Sequence, residues 1–171
     1  MEELGRMNPE EFKVAQKTPL IFVLDNVRSM NNVGSVFRSA DAFRLEGIHL
    51  CGITPQPPHR EIQKTALGAT ETIRWSHHEN ALTAVTELKQ HGYTIICAEQ
   101  VANSKLLSNA EFLATGKYVV ILGNEVEGVN QSLIDIADYC IEIPQAGTKH
   151  SLNIAVAAGI IAWEVYRQVN R

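Results

Sequence analysis

Short apolar runs of strand length alternate with amphipathic helical patterns along this chain, and that alternation limits the folds it can adopt. Residues 20–24 (LIFVL), 93–98 (YTIICA) and 118–122 (YVVIL) are continuous apolar runs, which are typical of strands buried on both faces. Apolar residues recur at helical spacing from Val33 to Phe43, after the first of these runs. Such strands separated by helices predict an α/β domain whose mostly parallel sheet is flanked by helices.

Capping residues and glycines indicate where the helices and strands begin and end in the first half of the chain. Asn31 or Asn32 is predicted to cap the first long helix, and Gly47 to end it before a strand over residues 48–51. A further short strand is expected around residues 72–75.

The second half continues the alternation. We predict helices over residues 81–88 and 131–137 and a strand over residues 139–143. The last helix is predicted to start near Ser151, a plausible cap, with Asn153 at its second or third position.

Length and charge bound the organisation of the chain. The 171 residues suit one globular domain, which we place at residues 18–171, with residues 1–17 as an N-terminal extension. The formal net charge of −4 excludes a basic coat over the whole surface. Net positive charge is confined to residues 26–64 and 143–171, which flank an acidic middle. This pattern is either ordinary scatter or a sign that both positive segments meet at one anionic ligand.

Several classes of protein are not favoured. The N-terminus carries acidic residues and no apolar run of signal-peptide type, so we expect a cytoplasmic protein. The longest nearly apolar stretch, residues 152–163, is too short to span a membrane. Cys51, Cys97 and Cys140 lie far apart without CxxC or Cys/His spacing, so we predict buried free thiols and no metal site.

The apolar stretch near the C-terminus bears on assembly. Asn153 is the only strongly polar residue between Leu152 and Trp163, and a helix that is apolar all round must be covered all round. Because a C-terminal helix usually lies on the surface of a domain, we expect a homodimer through this helix. Complete burial within one chain is the alternative.

Three polar segments follow predicted strands, at the edge where α/β sheets bind ligands: residues 26–38, 122–128 and 144–153. In the first, Arg28 and Arg38 lie near a helix N-terminus, an arrangement that attracts phosphate, although Arg38 could instead be a surface residue paired with Asp41.

The other two segments lack the usual phosphate-binding fingerprints. Residues 122–128 (LGNEVEG) match neither GxGxxG nor GxxxxGKS, but backbone groups of such a loop can read a purine edge. Glu125 then either enters the pocket or is exposed to solvent. In the third segment Asn153 requires a polar partner or a pocket, since it begins an otherwise apolar helix.

The three segments together resemble the motifs of a known family. NNVGSVFRSADAF, VILGNEVEGV and IEIPQAGTKHSLNIAVAAG are similar, in this order, to the three motifs of the SPOUT superfamily, and specifically to those of SpoU/TrmH-like ribose 2′-O-methyltransferases that act on tRNA or rRNA. The resemblance covers about residues 18–169. It implies a SPOUT α/β knot with a C-terminal trefoil knot, S-adenosyl-L-methionine as cofactor, and a homodimer.

The resemblance also implies roles for individual residues. The catalytic set carried over comprises Asn32, Arg38, Glu125, Ser151 and Asn153. The residues expected to hold the cofactor, mainly through the backbone, are Leu122, Gly123, Asn124, Gly128, Ile143, Pro144, Ser151 and Leu152. Ala155 departs from the pattern, because many relatives carry serine there. We expect no separate RNA-binding domain before residue 18, so RNA capture is expected to depend on the core and a partner subunit.

The implied reaction constrains the role of Arg38. The family's usual scheme makes this arginine the proton acceptor, but a guanidinium keeps its proton at neutral pH. We therefore interpret Arg38 as positioning an RNA phosphate and stabilising the developing alkoxide, with the proton passing to phosphate or water. The residues predicted to contact RNA are Arg28, Arg38, Arg60, Lys64 and Lys149, and tRNA is favoured over rRNA by analogy with minimal single-domain members. The alternatives are a non-catalytic RNA-binding or assembly factor, and an enzyme that methylates a base nitrogen.

Overall fold

Strands and helices alternate throughout the computed structural model, which describes residues 7–149 and 151–170. The strands are β1 (Thr18–Asp25), β2 (Leu45–Cys51), β3 (Trp75–His78), β4 (Thr94–Ala98), β5 (Lys105–Leu106), β6 (Tyr118–Leu122) and β7 (Tyr139–Glu142). The helices are α1 (Pro9–Val14), α2 (Met30–Ala42), α3 (Arg60–Ala66), α4 (Ala69–Thr72), α5 (Ala81–Gln90), α6 (Gln131–Ile136) and α7 (Ile154–Val169), with a 3₁₀ turn at Leu107–Asn109.

The seven strands form one sheet in the order β3-β2-β1-β6-β4-β7-β5, and neighbouring strands pair in parallel. This confirms the predicted α/β fold with a parallel sheet. The carboxyl ends of β1, β6, β4 and β7 therefore share one edge, where the loops that follow them can meet.

Both faces of the central strands are buried, as their continuous apolar runs predict. One face packs against α2 and α7, with a core that includes Phe22, Leu24, Phe37, Ala158 and Ile161. The other face packs against α5 and α6, with a core that includes Val23, Ile95, Ile121, Val85 and Leu133. Covering both faces removes the strand side chains from water, which is the main stabilising contribution in a fold of this size.

Several predicted boundaries are wrong. Ser29, not Asn31 or Asn32, caps α2, because its side-chain oxygen accepts a hydrogen bond from the backbone N–H of Asn32. The helix ends at Ala42, and Gly47 lies inside β2. The chain instead reverses at Arg44, which has a positive φ of 52°.

The region between β2 and β4 also differs from the prediction. Residues 60–72 form α3 and α4, which we did not predict, and β3 starts only at Trp75. The apolar positions of residues 60–72 are too few to show a helical stripe, although Ile62 and Ala66 are buried.

The last helix begins later than predicted. Its N-cap is Asn153, whose side-chain oxygen accepts hydrogen bonds from the backbone N–H groups of Ala155 and Val156. Ser151 lies two residues before the cap and is not part of the helix.

None of the described helices is long and apolar enough to cross a membrane. Cys51, Cys97 and Cys140 are buried free thiols, and burial raises the pKa of the Cys51 thiol to about 12.

Candidate active site

The three polar segments converge at the carboxyl edge of the sheet. A cleft of about 770 Å³ lies there, between the loop after β6, the loop before α7 and the ends of β4 and β7. Among the predicted site residues, those that line it are Leu122, Gly123, Asn124, Glu125, Gly128, Ile143, Ser151, Leu152 and Asn153. The sheet edge thus brings together most of the second and third segments.

Glu125 joins the second segment to the first. Its carboxylate accepts hydrogen bonds from the backbone N–H groups of Arg28 (3.1 Å) and Ser29 (3.2 Å), and from the Asn32 side-chain amide (3.4 Å). Burial opposes ionisation, but the N–H donors of Arg28, Glu125 itself and Ser29, with the Asn32 amide, outweigh it and lower the pKa of Glu125. The carboxylate is therefore held ionised at the start of α2, where the helix dipole also favours negative charge.

Asn32 joins the first segment to the third. Its side-chain oxygen accepts a hydrogen bond from the side-chain nitrogen of Asn153, at 3.1 Å. Asn153 uses its own oxygen to cap α7, so both ends of its amide are engaged. This explains the polar residue that opens an apolar helix. Glu125, Asn32 and Asn153 form one continuous network, which we call the three-segment network.

A tight turn shapes the loop after β6. Asn124 and Gly128 exchange two backbone hydrogen bonds, of 3.0 and 2.9 Å, and the Asn124 side chain bonds to the backbone N–H groups of Val126 and Glu127 and to the carbonyl of Asn26. A Cβ atom at Gly123 would lie 2.3 Å from the Gly128 carbonyl carbon. Glycine is therefore required at position 123 for the loop to close on itself.

The charge of the cleft limits what it can bind. Four carboxylates line it, those of Glu99, Glu125, Glu127 and Glu142, and no Lys or Arg occurs among its described lining residues. Apolar side chains, including those of Leu122, Ile141 and Ile161, cover the rest. Such a cleft suits a ligand that combines a flat apolar part with net positive charge and disfavours a bound phosphate group.

The predicted cationic residues lie outside the cleft. Arg38 is exposed on α2, does not line the cleft and makes no ion pair with the described residues, so the alternative of a pair with Asp41 is not observed. Arg28, Arg60, Lys64 and Lys149 are also exposed. Pro144 is exposed between Ile143 and Gln145, which line the cleft where Pro144 does not.

One close helix contact packs α3, which carries Arg60 and Lys64, against α2. A Cβ atom at Gly34 would lie 2.1 Å from the Thr65 side-chain oxygen and 2.3 Å from the Ile62 carbonyl oxygen, and Thr65 donates to the Asn31 carbonyl at 3.0 Å. Glycine thus lets α3 lie against the first turns of α2.

Several residues of the site were missed by the sequence analysis, and two of them make hydrogen bonds that shape it. Glu99, which follows β4, lines the cleft and accepts hydrogen bonds from the backbone N–H groups of Val129 (3.0 Å) and Gln100 (3.2 Å). Ser29 caps α2 beside Glu125. Both had a signal in the sequence, since Glu99 is an acidic residue directly after a buried strand and serine is a preferred cap.

Comparison with known proteins gives consistent matches. A sequence model described as "SpoU rRNA Methylase family" matches residues 19–163. The chain is 28% identical to a 23S rRNA (guanosine-2′-O-)-methyltransferase RlmB of Vibrio parahaemolyticus, over 98% of this chain and 66% of the relative. The chain spans 58 to 66% of the length of the first curated relatives that it matches.

Two solved structures have the same fold. One is an AdoMet-bound rRNA methyltransferase from Sinorhizobium meliloti, with a TM-score of 0.81 and 29% identity, over 89% of this chain and 57% of that chain. The other is a TrmH/SpoU tRNA modifying enzyme from A. aeolicus, with a TM-score of 0.81 and 28% identity, over 94% of this chain and 79% of that chain.

Proposed function

The chain belongs to the SpoU rRNA methylase family, and from this membership we propose that it transfers a methyl group from S-adenosylmethionine to a ribose 2′-hydroxyl of RNA. The observation that carries the proposal is the three-segment network at the mouth of an acidic cleft. The similar proteins described as an rRNA (guanosine-2′-O-)-methyltransferase and a tRNA modifying enzyme support an RNA substrate. We propose tRNA as the substrate, by analogy with small members of the family.

The residues of the cleft fit S-adenosylmethionine. The two positive charges of its sulfonium and ammonium groups exceed the single negative charge of its carboxylate. The cofactor therefore carries net positive charge, which the four carboxylates of the cleft attract. The adenine ring suits the apolar surface of Leu122, Ile141 and Ile161. When bound, this cofactor supplies an electrophilic methyl group.

The backbone of two loops would hold the cofactor. The residues concerned are Leu122, Gly123, Asn124 and Gly128 after β6, and Ile143, Pro144, Ser151 and Leu152 before α7. Support comes from their placement at the cleft, which all of them line except Pro144. Ser151, Asn153 and Asn32 would orient the ribose at the mouth.

Glu125 acts in this scheme as a positioning residue. Its carboxylate already accepts three hydrogen bonds from the start of α2, so it fixes Asn32 and the helix that carries Arg38. A carboxylate with lowered pKa is a weak base, and removal of the hydroxyl proton is therefore left to the RNA phosphate or water.

Arg38 acts at the rim. It has no ion-pair partner among the described residues, and its guanidinium can bind an RNA phosphate and stabilise the developing alkoxide. Arg28, Arg60, Lys64 and Lys149 extend this positive rim outside the acidic cleft. RNA then lies across the mouth while the cofactor occupies the interior.

A homodimer through α7 completes the proposal. Leu152, Val156, Ile160 and Trp163 are spaced three or four residues apart and are between 36% and 51% exposed, so one apolar face of the helix region faces solvent. A second copy of the chain would cover this face. We also propose that residues 18–171 form a single domain in which α7 threads a trefoil knot, with residues 1–17 as an extension.

Transfer of labelled methyl groups tests the proposal. The purified protein is incubated with S-adenosylmethionine labelled in the methyl group and with unmodified tRNA or rRNA transcripts, and the RNA is then digested to nucleosides. We expect label in 2′-O-methyl nucleosides. Label in a base would instead show a base methyltransferase, and RNA binding without label would show a non-catalytic factor.

An Arg38→Gln variant sharpens the test. We expect a loss of about 100-fold or more in methyl transfer, with cofactor binding unchanged because Arg38 lies outside the cleft. Lys89→Gln is the matched control: it makes the same change in charge at a lysine already paired with Asp138 and should retain activity. Full activity of Arg38→Gln would remove Arg38 from the mechanism.

A further inference from the structure

The amino edge of the sheet, opposite the cleft, carries a row of cations. Four adjacent strands, β3, β2, β1 and β6, are each preceded directly by a basic residue. These residues are Arg74, Arg44, Lys17 and Lys117, in that spatial order. Because all the strands run in parallel, the four positions lie along one edge, and we call them the basic row. The register staggers them: Arg74 is level with Gly47 of β2, and Lys117 is level with Pro19 of β1.

Backbone contacts hold the row together. The N–H of Thr18 donates to the Arg44 carbonyl at 2.8 Å, and the N–H of Ile48 donates to the Arg74 carbonyl at 3.0 Å. These bonds join the start of β1 to the residue before β2, and the residue before β3 to the middle of β2. Arg44 adopts a left-handed backbone with φ of 52°, a conformation that Asn or Gly adopts at lower cost.

The cations of the row are close enough to affect one another. Burial, and then the positive charges of Arg44 and Arg74, lower the pKa of Lys17, against the smaller opposing effect of Asp41. Lys117 lies at the start of β6, which pairs with β1, and its ammonium is 5.4 Å from the centre of the Tyr93 ring. The row therefore concentrates positive charge, which Asp41 offsets only in part.

Neighbouring acids do not neutralise this charge. No member of the row makes an ion pair within the described part of the chain. The carboxylate of Asp41 accepts a hydrogen bond from the Thr72 hydroxyl, and that of Glu46 accepts one from the Tyr93 hydroxyl at 2.5 Å. Further along the same edge the row ends, because Tyr93 precedes β4, and Asp138, which precedes β7, is paired with Lys89.

We propose that the basic row binds the phosphate backbone of the substrate RNA, as a second contact remote from the reacting nucleotide. The inference rests on the proposed RNA substrate. β1 has eight residues, β6 five and β3 four, so the members of the row lie roughly 13 to 26 Å from the carboxyl edge at about 3.3 Å per residue. A phosphate-bearing substrate is expected to bind here, because the chain as a whole carries a net charge of −4 and its affinity for RNA must come from local positive patches.

The basic row is expected to affect RNA affinity and not the chemical step, because it does not touch the reacting nucleotide. A residue that binds RNA backbone roughly 13 Å or more from the chemistry adds affinity for substrate and transition state alike. Neutralising the row is therefore expected to raise KM for a full-length RNA and to leave kcat close to that of the unaltered protein.

The test is the salt dependence of binding to a fluorescently labelled, unmodified full-length tRNA transcript. The double variant Arg74→Gln/Lys117→Gln removes the two exposed members of the row, whereas Lys17 and Arg44 are half-buried. We expect the slope of log affinity against log salt to fall by about 1.4 to 1.8, and the affinity near 0.1 M salt to fall about tenfold or more. The charge-conserving variant Arg74→Lys/Lys117→Arg should restore both.

A matched control separates the row from net charge. Lys89→Gln/Lys105→Gln also removes two positive charges, but Lys89 is paired with Asp138 and Lys105 lies 4.5 Å from the Tyr139 ring centre. A slope for Arg74→Gln/Lys117→Gln that equals that of the control pair, or of the unaltered protein, overturns the proposal.

The same preparations distinguish this failure from failure of the proposed function. A protein that binds the transcript through the row but transfers no methyl group contradicts the proposed activity alone. A protein that transfers methyl groups with an unchanged salt slope contradicts the basic row alone. If the unaltered protein binds neither tRNA nor rRNA transcripts, the proposed function and the basic row are both contradicted.

Discussion

The side-chain nitrogen of Asn153 lies 3.1 Å from the side-chain oxygen of Asn32 and donates a hydrogen bond to it, across 121 positions of sequence. Asn153 at the same time caps α7 with its oxygen. One amide therefore supports both the end of a helix and the mouth of the cleft, and substitutions can separate the two roles.

Asn153→Asp and Asn153→Ala should differ in stability but not in activity. Aspartate keeps the oxygen that caps α7, so the free energy of unfolding should fall by less than about 0.5 kcal/mol, whereas alanine should lower it by about 1 kcal/mol. Both lose the donor to Asn32, and methyl transfer should fall about tenfold or more. Urea unfolding and the labelled-methyl assay measure the two effects. Wild-type activity of Asn153→Asp would show that the bond to Asn32 is dispensable.

Glu125→Gln should change how stability depends on pH. The pKa of Glu125 is lowered in the folded protein, so its stabilising contribution is complete above the ordinary pKa of a glutamate and is lost as pH falls through the lowered value. At neutral pH the variant should be less stable by about 0.5 kcal/mol, since the site is partly exposed. The difference should vanish in strong acid. Glu87→Gln, on the exposed side of α5, is the control and should follow the wild-type curve; a constant difference at all pH values would contradict the assignment.

Gly123→Ala should prevent closure of the loop after β6. The added Cβ would lie 2.3 Å from the Gly128 carbonyl carbon and oxygen, which predicts a loss of about 1–3 kcal/mol in the free energy of unfolding. Cofactor binding, measured by calorimetry, should weaken as well. Gly147→Ala is the matched substitution, because no atom lies within 4 Å of a Cβ built there. Equal stability of the two variants would refute the steric argument.

His49 should make the fold sensitive to mild acid. Burial and the neighbouring His78, whose ring stacks at 4.7 Å, lower the pKa of His49 to about 4. The unfolded chain binds this proton more readily, so stability is intact above about pH 6.5 and declines as pH falls towards 4. His49→Phe keeps a ring there and should flatten the decline in thermal unfolding experiments. His91→Gln, at the exposed end of α5, should leave the decline unchanged; a decline of equal size in His49→Phe would assign it to another group.

The apolar face of α7 should control assembly. Val156→Glu and Trp163→Glu place charge on a face whose residues are 51% and 50% exposed, and each should convert a dimer into monomers measured by light scattering. Val14→Glu, on α1 and 86% exposed, should leave the mass unchanged. A monomeric unaltered protein would refute the proposed dimer.

Strand positions were predictable from the sequence where apolar runs were long. The segment YVVIL was predicted as a strand over residues 118–122 and forms β6 over Tyr118–Leu122. A strand buried on both faces has no polar position inside it, so its first and last residues are clear from the sequence. The first and last residues of helices were harder to predict from the sequence. The apolar stripe of α2 begins at Val33, but the backbone turns helical at Met30 after the Ser29 cap, since a stripe reports the buried face and not the first hydrogen bond.

Some features of the site could likewise be predicted from the sequence, and others could not. Its location was predicted from polar residues after buried strands, and Asn32 is hydrogen-bonded to both Glu125 and Asn153. The family resemblance placed these residues in one set, but neither hydrogen bond could be predicted from local pattern, because contacts between distant positions have no periodic signal. Arg38 was predicted in the same group, and the structure places it outside the cleft, at the exposed surface of α2.

The long span between Asn32 and Asn153 sets the order in which the protein can mature during synthesis. A nascent chain can pair β1 with β2 and β6 while α7 is still inside the ribosome, but the mouth of the cleft stays incomplete until Asn153 emerges and α7 docks. The site therefore cannot exist before α7 has been synthesised, and a fragment ending before that helix would lack a complete cleft even if its sheet were formed.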